Sequence, residues 1–294
     1  YAEAGALLLV FYGLIGTRRL WIRGWTVPLL LAAAPLALPP AIGNAAIGAS
    51  LARFLGHDIV PAPLRGAALA EPETWARLWS WLRPILADQI LPGTIQTLIL
   101  AQIALAATAL GALVLFPLTA RRFAGPLGRP LGRVLLVVVR STPEYMLAYC
   151  GLQLLGPSML PAILALALHN AGIVAYLMGR HADALPYRAD APTGLNLYAY
   201  ETVPRLYGQF LAYLLYRWEL ILRESAIFGI LGVTTLGFYV DAAISELRLD
   251  VAVVLIAATA GVTVAVDALS RGLRRSLRID TLPTRLSGPQ PVAG

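Results

Sequence analysis

The sequence predicts an all-α, polytopic membrane protein with six core transmembrane helices and an extra amino-terminal helix, and three observations carry that expectation. Of 294 residues 58% are hydrophobic and only 13% charged, with a mean hydropathy of +0.71, whereas a water-soluble domain runs at about 45–50% apolar and about 25% charged. The apolar residues gather into runs long enough to cross about 30 Å of hydrocarbon, which takes roughly 20 helical residues. The 23 basic residues are all arginine and concentrate on alternate connections between those runs.

The elements follow in chain order. Residues 1–16 (YAEAGALLLVFYGLIG) are short for a span and read as a seventh, peripheral helix; an interfacial helix is the alternative. The six core spans fall at 27–50, 90–118, 133–155, 157–178, 206–232 and 250–270. Residues 236–245 are too short to cross and follow a glycine-rich bend, so a half-helix or re-entrant piece is expected there. Between the first two spans lies a proline-rich excursion, 51–88, whose stretch ETWARLWSWLRP sets Trp75, Trp79 and Leu82 at helical spacing. Such a helix suits the headgroup level, where tryptophan is favoured. The domain division is therefore 1–26 for the peripheral helix and its basic loop, 27–279 for the transmembrane domain, and 280–294 for a tail.

Basic residues favour cytoplasmic connections. The segments 17–26, 119–133, 179–205 and 271 onward hold fifteen arginines against four acids, Asp183, Asp190, Glu201 and Asp280. The opposite connections hold five arginines, at 53, 65, 77, 83 and 248, against eight acids. The first set is assigned to the inner face. The net charge of +7 is then a signature of topology rather than of nucleic-acid binding.

Several function classes are excluded. Without lysine the chain has no Walker A loop, Schiff-base amine or kinase strand lysine. One cysteine, Cys150, leaves no internal disulfide, thiolate zinc site or iron–sulfur cluster. The three histidines, His57, His169 and His181, lie apart without a His-Glu-x-x-His spacing. No catalytic residue and no metal site is expected.

Charges inside a span are costly and are either paired or line a pathway. The segment LAYLLYRWELILRESAIFGILGVTTLGFYV holds Arg217, Glu219, Arg223 and Glu224 within eight residues. Glu219 and Arg223 form an i,i+4 pair, and Arg217 and Glu224 fall seven apart on nearly the same helical face. A cluster neutralised in this way is either a structural network before the bend or part of a route for a charged substrate. Gly229, Gly232 and Gly237, with Thr234 and Thr235, follow at once; glycine permits the close approach and irregular turns tolerated at membrane depth only in protein or beside a cavity. They read as a gate or bend. Arg140 and Glu144 in VVVRSTPEYMLAYCGLQLLGP are a second i,i+4 pair with Pro143 between them, a helix-end network. His169 and Asn170 in LALALHNAG read as an interhelical hydrogen bond. The inner loop GRHADALPYRADAPTGLNLYAYETVPRL carries Leu195, Leu197, Tyr198, Tyr200 and Leu206 too densely for a purely solvated loop, and suits a brief helix facing a soluble partner.

On these residues the chain resembles the permease subunits of type I ABC importers, most closely the phosphonate-uptake permeases, over about 27–279. The most specific stretch is LAYLLYRWELILRESAIFGILGVTTLG; LPGTIQTLILAQIALAATALGALVLFP, GPSMLPAILALALHNAGIVAYLMGR and VDALSRGLRRSLR support it. The resemblance places an ATPase-coupling loop at 180–205, with Asp183, Arg188, Ala189, Asp190, Gly194 and Pro204 as its marked residues; Arg188 stands where the family carries Glu, and Pro192 intrudes. It implies a multi-pass protein of the bacterial inner membrane, no enzyme itself, paired with a second permease subunit in a homodimer, or in a heterodimer with a similar chain. Two ATPase subunits, which bind ATP and Mg, and an extracytoplasmic substrate-binding protein would complete an importer of phosphonate, phosphite or a phosphate ester. The competing reading from another class is an ion-coupled secondary transporter with Glu219, Glu224 or Asp267 carrying protons, and a membrane-embedded enzyme would need a nucleophile–base pair that the sequence lacks.

Overall fold

The structure, a computed structural model, describes residues 44–276 apart from Leu69, Arg188 and Ala189. The peripheral helix, its basic loop, most of the first expected span and the tail lie outside the described residues, as does the expected boundary at 26/27. The chain divides into two compact units, 1–60 and 61–294. In the first, helix α1 (Asn44–Arg53) continues into a π-helical turn, Phe54–Asp58.

The second unit is helical, with no strand among the described residues. Helix α2 (Pro72–Ile85) forms where the tryptophan spacing predicts it, with Trp75 and Trp79 both exposed. It runs through a π turn into α3 (Leu91–Leu115). After a 3-10 turn, Phe116–Thr119, come α4 (Arg121–Ser141), α5 (Glu144–Leu155) and α6 (Leu160–Ala184). A short turn α7 (Gly194–Asn196) leads through a π segment into α8 (Val203–Ser225), and α9 (Leu236–Ser245) and α10 (Leu249–Ser276) complete the order.

Among the described residues, three helical stretches are long and apolar enough to cross a membrane: 72–119, 160–184 and 249–276. Two expected spans differ from this. The run 133–155 is not one helix, because Thr142 is extended (ψ 122°) and Pro143 has no N–H with which to continue the ladder. The run 206–232 ends as an α-helix at Ser225 and tightens to a 3-10 turn, Ala226–Gly229. The short piece 236–245 is a separate ten-residue helix, as its length predicts.

Helix α6 is the centre of this unit, packed against α3, α4, α5 and α8. Lipid tails are as apolar as leucine, so burial from water does not draw helices together within the bilayer; close packing does, and small residues permit it. The buried face of α6 accordingly includes Ala162, Ala165, Ala171, Ala175 and Ala182, with Gly172 and Gly179, beside the larger Leu166, Val174 and Met178. A side chain at Gly179 would lie 1.9 Å from the Thr119 hydroxyl, and one at Gly172 would lie 3.0 Å from Val139.

The connections sort to two ends as the arginine count predicts. At one end Ile85 packs with Ala243, Val251 and Leu255, and Asp250 accepts the Ala62 N–H at 3.2 Å and pairs with Arg65 at 3.3 Å. At the other, Asp183 at the end of α6 accepts the Arg121 N–H at 2.6 Å and the Arg129 guanidinium at 2.5 Å. Tyr198 stacks on Phe116 at 5.4 Å and donates to the Leu113 carbonyl at 3.0 Å. The expected inner segments 119–133 and 179–205 thus share one end, and the part of the outer excursion from Ala62 meets the 241–250 connection at the other.

Candidate translocation site

A polar cluster sits where α6 crosses the break between α4 and α5. The extended Thr142 leaves its carbonyl outside the helical ladder, and His169 Nδ1 lies 3.0 Å from it. The other ring nitrogen is 3.9 Å from Glu144 Oε2, with both side chains largely buried. On the next residue of α6, the fully buried Asn170 donates to Glu224 of α8 at 3.2 Å and to the Leu166 carbonyl at 2.9 Å. Three helices, α5, α6 and α8, therefore meet through Glu144, His169, Asn170 and Glu224, and the end of α4 joins them through the Thr142 carbonyl. The reading of His169–Asn170 as an interhelical hydrogen-bonding pair corresponds to contacts seen here.

The expected pair Arg140–Glu144 does not form. An i,i+4 contact needs a continuous helix, and Pro143 ends it; Arg140 instead lies 4.3 Å above the ring of Tyr176 on α6, a cation–π contact. Glu219 and Arg223 do pair, with Arg223 more than half exposed. Arg217 and Glu224 share a helical side without touching: Arg217 makes no ion pair among the described residues, although Glu224 and Glu144 both act on it through space. The eight-residue cluster of the sequence is thus two things, an ion pair at 219/223 that reaches the surface through Arg223, and a set at 217/224 extended by Glu144, His169 and Asn170. Asp267 is held by Arg271, one turn along α10.

The glycine-rich segment is a true break. The backbone of 226–229 passes against that of 237–238 so closely that a Cβ on Gly229 would stand 2.1 Å from the Phe238 nitrogen, and one on Gly237 1.9 Å from the Ala226 oxygen. Gly232 turns the chain at φ +82°, a conformation open to glycine at little cost. Thr234 is exposed, while Thr235 is fully buried just before α9. The first N–H of α9, from Leu236, donates to Thr97 Oγ1 on α3 at 2.9 Å, and that hydroxyl donates to the Gly93 carbonyl at 2.7 Å. Thr97 thus caps a helix 139 residues away, a role that nothing in the local sequence signals.

Of the residues marked for the inner loop, Arg188 and Ala189 lie outside the described residues. Asp183 belongs to the last turn of α6 and is engaged by Arg129 and Arg133, so it fastens α4 to α6 rather than standing out from the loop. Asp190 lies in the turn between α6 and α7. Gly194 opens α7 at φ +67°, and Pro204 occupies the first turn of α8, where no N–H is needed. Within 194–202, Leu197 is buried, but Leu195 is 82% and Tyr200 78% exposed. Burial raises the Tyr198 phenol above its ordinary pKa.

No protein-family model matches the chain. It is 31% identical over 225 residues, covering 74% of this chain and 78% of the other, to a phosphite transport system permease protein of Stutzerimonas stutzeri. It is 27% identical over 204 residues to a phosphate-import permease protein of Mycolicibacterium smegmatis, of whose length it spans 38%. Among solved structures it superposes on a chain of an amino acid ABC transporter crystallised with histidines, with a TM-score of 0.55 and 18% identity over 71% of this chain and all of that one; this likeness is one of fold.

Proposed function

This chain belongs to the permease subunits of ABC importers, the family of that phosphite permease, and on that premise we propose that it forms the membrane pathway for a phosphorus oxyanion: phosphonate, phosphite or a phosphate ester. The observation that carries this reading is the 31% identity over most of both chains. The partly buried cluster of Arg217, Glu224, Glu144, His169 and Asn170 supports it physically. One arginine offers transient countercharge to an anion, while the adjacent carboxylates keep the site from trapping it.

The energy source is a pair of separate ATPase subunits carrying ATP and Mg, since this lysine-free sequence has no Walker A loop of its own. A second copy of the chain would close the pathway, and a substrate-binding protein would deliver the anion from outside. The ATPases would grip the inner segment 194–202, where Leu195 and Tyr200 stand exposed at the arginine-rich end. ATP-driven closure would move that segment, and with it α8, switching the pathway between inward and outward access.

Changing Leu195 and Tyr200 together to serine tests the docking. A pair of exposed anchors at the centre of a protein contact carries a large share of its energy, so ATPase co-purification and uptake are each expected to fall by about tenfold or more. The melting temperature of the permease should stay unchanged, because neither side chain is buried. Undiminished co-purification would place the ATPase contact elsewhere. The substrate reading is tested by complementation: cells deficient in phosphite uptake, supplied with this chain, its ATPase and its binding protein, should regain phosphite-dependent growth, and failure with all three subunits present in the membrane would contradict it.

A further inference from the structure

At the inner end, α4 bends sharply at Gly125 (φ +66°) and resumes with Pro126, and a cavity of about 250 Å³ opens there between Arg121, Pro126, Arg129, Pro130 and Arg133. At roughly 30 Å³ per water, that is room for several waters or for one phosphate group with part of its ester. Three arginines line the cavity beside one acid, Asp183, which accepts from the Arg129 guanidinium at 2.5 Å and from that of Arg133 at 3.5 Å. A guanidinium has five N–H donors, and a single carboxylate cannot satisfy two of them. The Nε atoms of Arg129 and Arg133 are both buried without an acceptor. Arg121 uses only its backbone N–H on Asp183, and its side chain is exposed. The cavity therefore keeps two positive charges in excess at the start of a helix, where the dipole adds to them.

The adjoining face of the same helix is apolar and open: Leu127 is 87%, Leu131 72%, Val134 61% and Val138 58% exposed. An arginine-lined cavity above an exposed aliphatic stripe matches a molecule with an anionic phosphate head and hydrocarbon tails. We propose that this cavity binds the phosphate headgroup of an anionic phospholipid of the inner leaflet, with its acyl chains lying along Leu127, Leu131, Val134 and Val138. Basic pockets at the cytoplasmic ends of membrane helices recognise such headgroups. The site holds α4 to α6 at the foot of the helix that carries Arg140, independently of what the transporter carries.

The test uses the full chain with its ATPase in nanodiscs of phosphatidylcholine alone or mixed with phosphatidylglycerol. Phosphatidylglycerol retention is read by native mass spectrometry and thermal stability by melting. The wild type is expected to retain phosphatidylglycerol and melt higher in the mixed discs; R121Q and R133Q should each weaken retention about fivefold. R121Q guards against misfolding, because that side chain takes no part in the Asp183 contacts, and R129K separates charge from the forked geometry that a lysine cannot supply. In phosphatidylcholine discs, inorganic phosphate should give no shift that depends on these arginines. Equal retention by wild type and R121Q/R133Q would overturn the proposal, and so would an arginine-dependent shift with inorganic phosphate alone, which would assign the cavity to a soluble anion.

Discussion

Gly237→Ala is expected to abolish most of the folded permease. The new methyl carbon would stand 1.9 Å from the Ala226 oxygen and 2.7 Å from its carbonyl carbon. Both are main-chain atoms that no rotamer change can move. Overpacking of a tight core costs about 1–3 kcal/mol even where side chains yield, so a backbone-to-backbone collision should cost about 3 kcal/mol or more. Thermal unfolding in detergent measures it: Gly237→Ala and Gly229→Ala should melt well below wild type, or fail to accumulate. Gly208 is the control, because it is helical and exposed, and a Cβ there would meet nothing within 4 Å; alanine at that position should be neutral or add about 0.5–1 kcal/mol through helix propensity. Wild-type melting of Gly237→Ala would mean that the two backbones do not meet at the first turn of α9.

The second large effect concerns charge rather than packing. Glu224→Gln keeps an oxygen to accept from Asn170 and removes only the negative charge beside Arg217, Glu144 and His169. Uptake per folded permease is expected to fall by about tenfold or more, the equivalent of about 1.4 kcal/mol at the rate-limiting step, while the melting temperature moves little. Glu219→Ala and Arg223→Ala, singly or together, should leave uptake within about twofold, because the two charges neutralise each other within one turn, apart from the Asn170–Glu224 contact, and Arg223 is more than half exposed. Normal transport by Glu224→Gln would remove the 217/224 set from the pathway. A loss confined to the 219/223 pair would move the pathway to the other half of the charge cluster.

The contrast between those two pairs shows what the sequence could carry. Glu219 and Arg223 are one turn apart on an unbroken helix, so spacing alone predicts their contact. Arg140 and Glu144 have the same spacing, yet Pro143 stops the helix between them, and each finds a partner on α6 instead, Tyr176 and His169. The Asn170–Glu224 bond spans 54 residues and the Thr97 cap 139, distances over which local periodicity holds no information. That segments 119–133 and 179–205 fall at one end was legible because the arginines mark alternate connections. The helical break at 229–237 was legible because glycine density signals close backbone approach, though not that residues 226 and 237 are the surfaces that meet. Asp183 falls within the inner loop by sequence; only the fold reveals that α6 continues to Ala184 and brings that carboxylate under Arg129.

Reconstituted vesicles test the central claim most directly. The chain, its ATPase and its binding protein are placed in one membrane, and labelled phosphite uptake is followed with and without ATP, and with an imposed proton gradient. Uptake that requires ATP and the binding protein, and that a proton gradient cannot replace, is the expected result. Uptake that persists without ATP under the proton gradient would contradict the importer account.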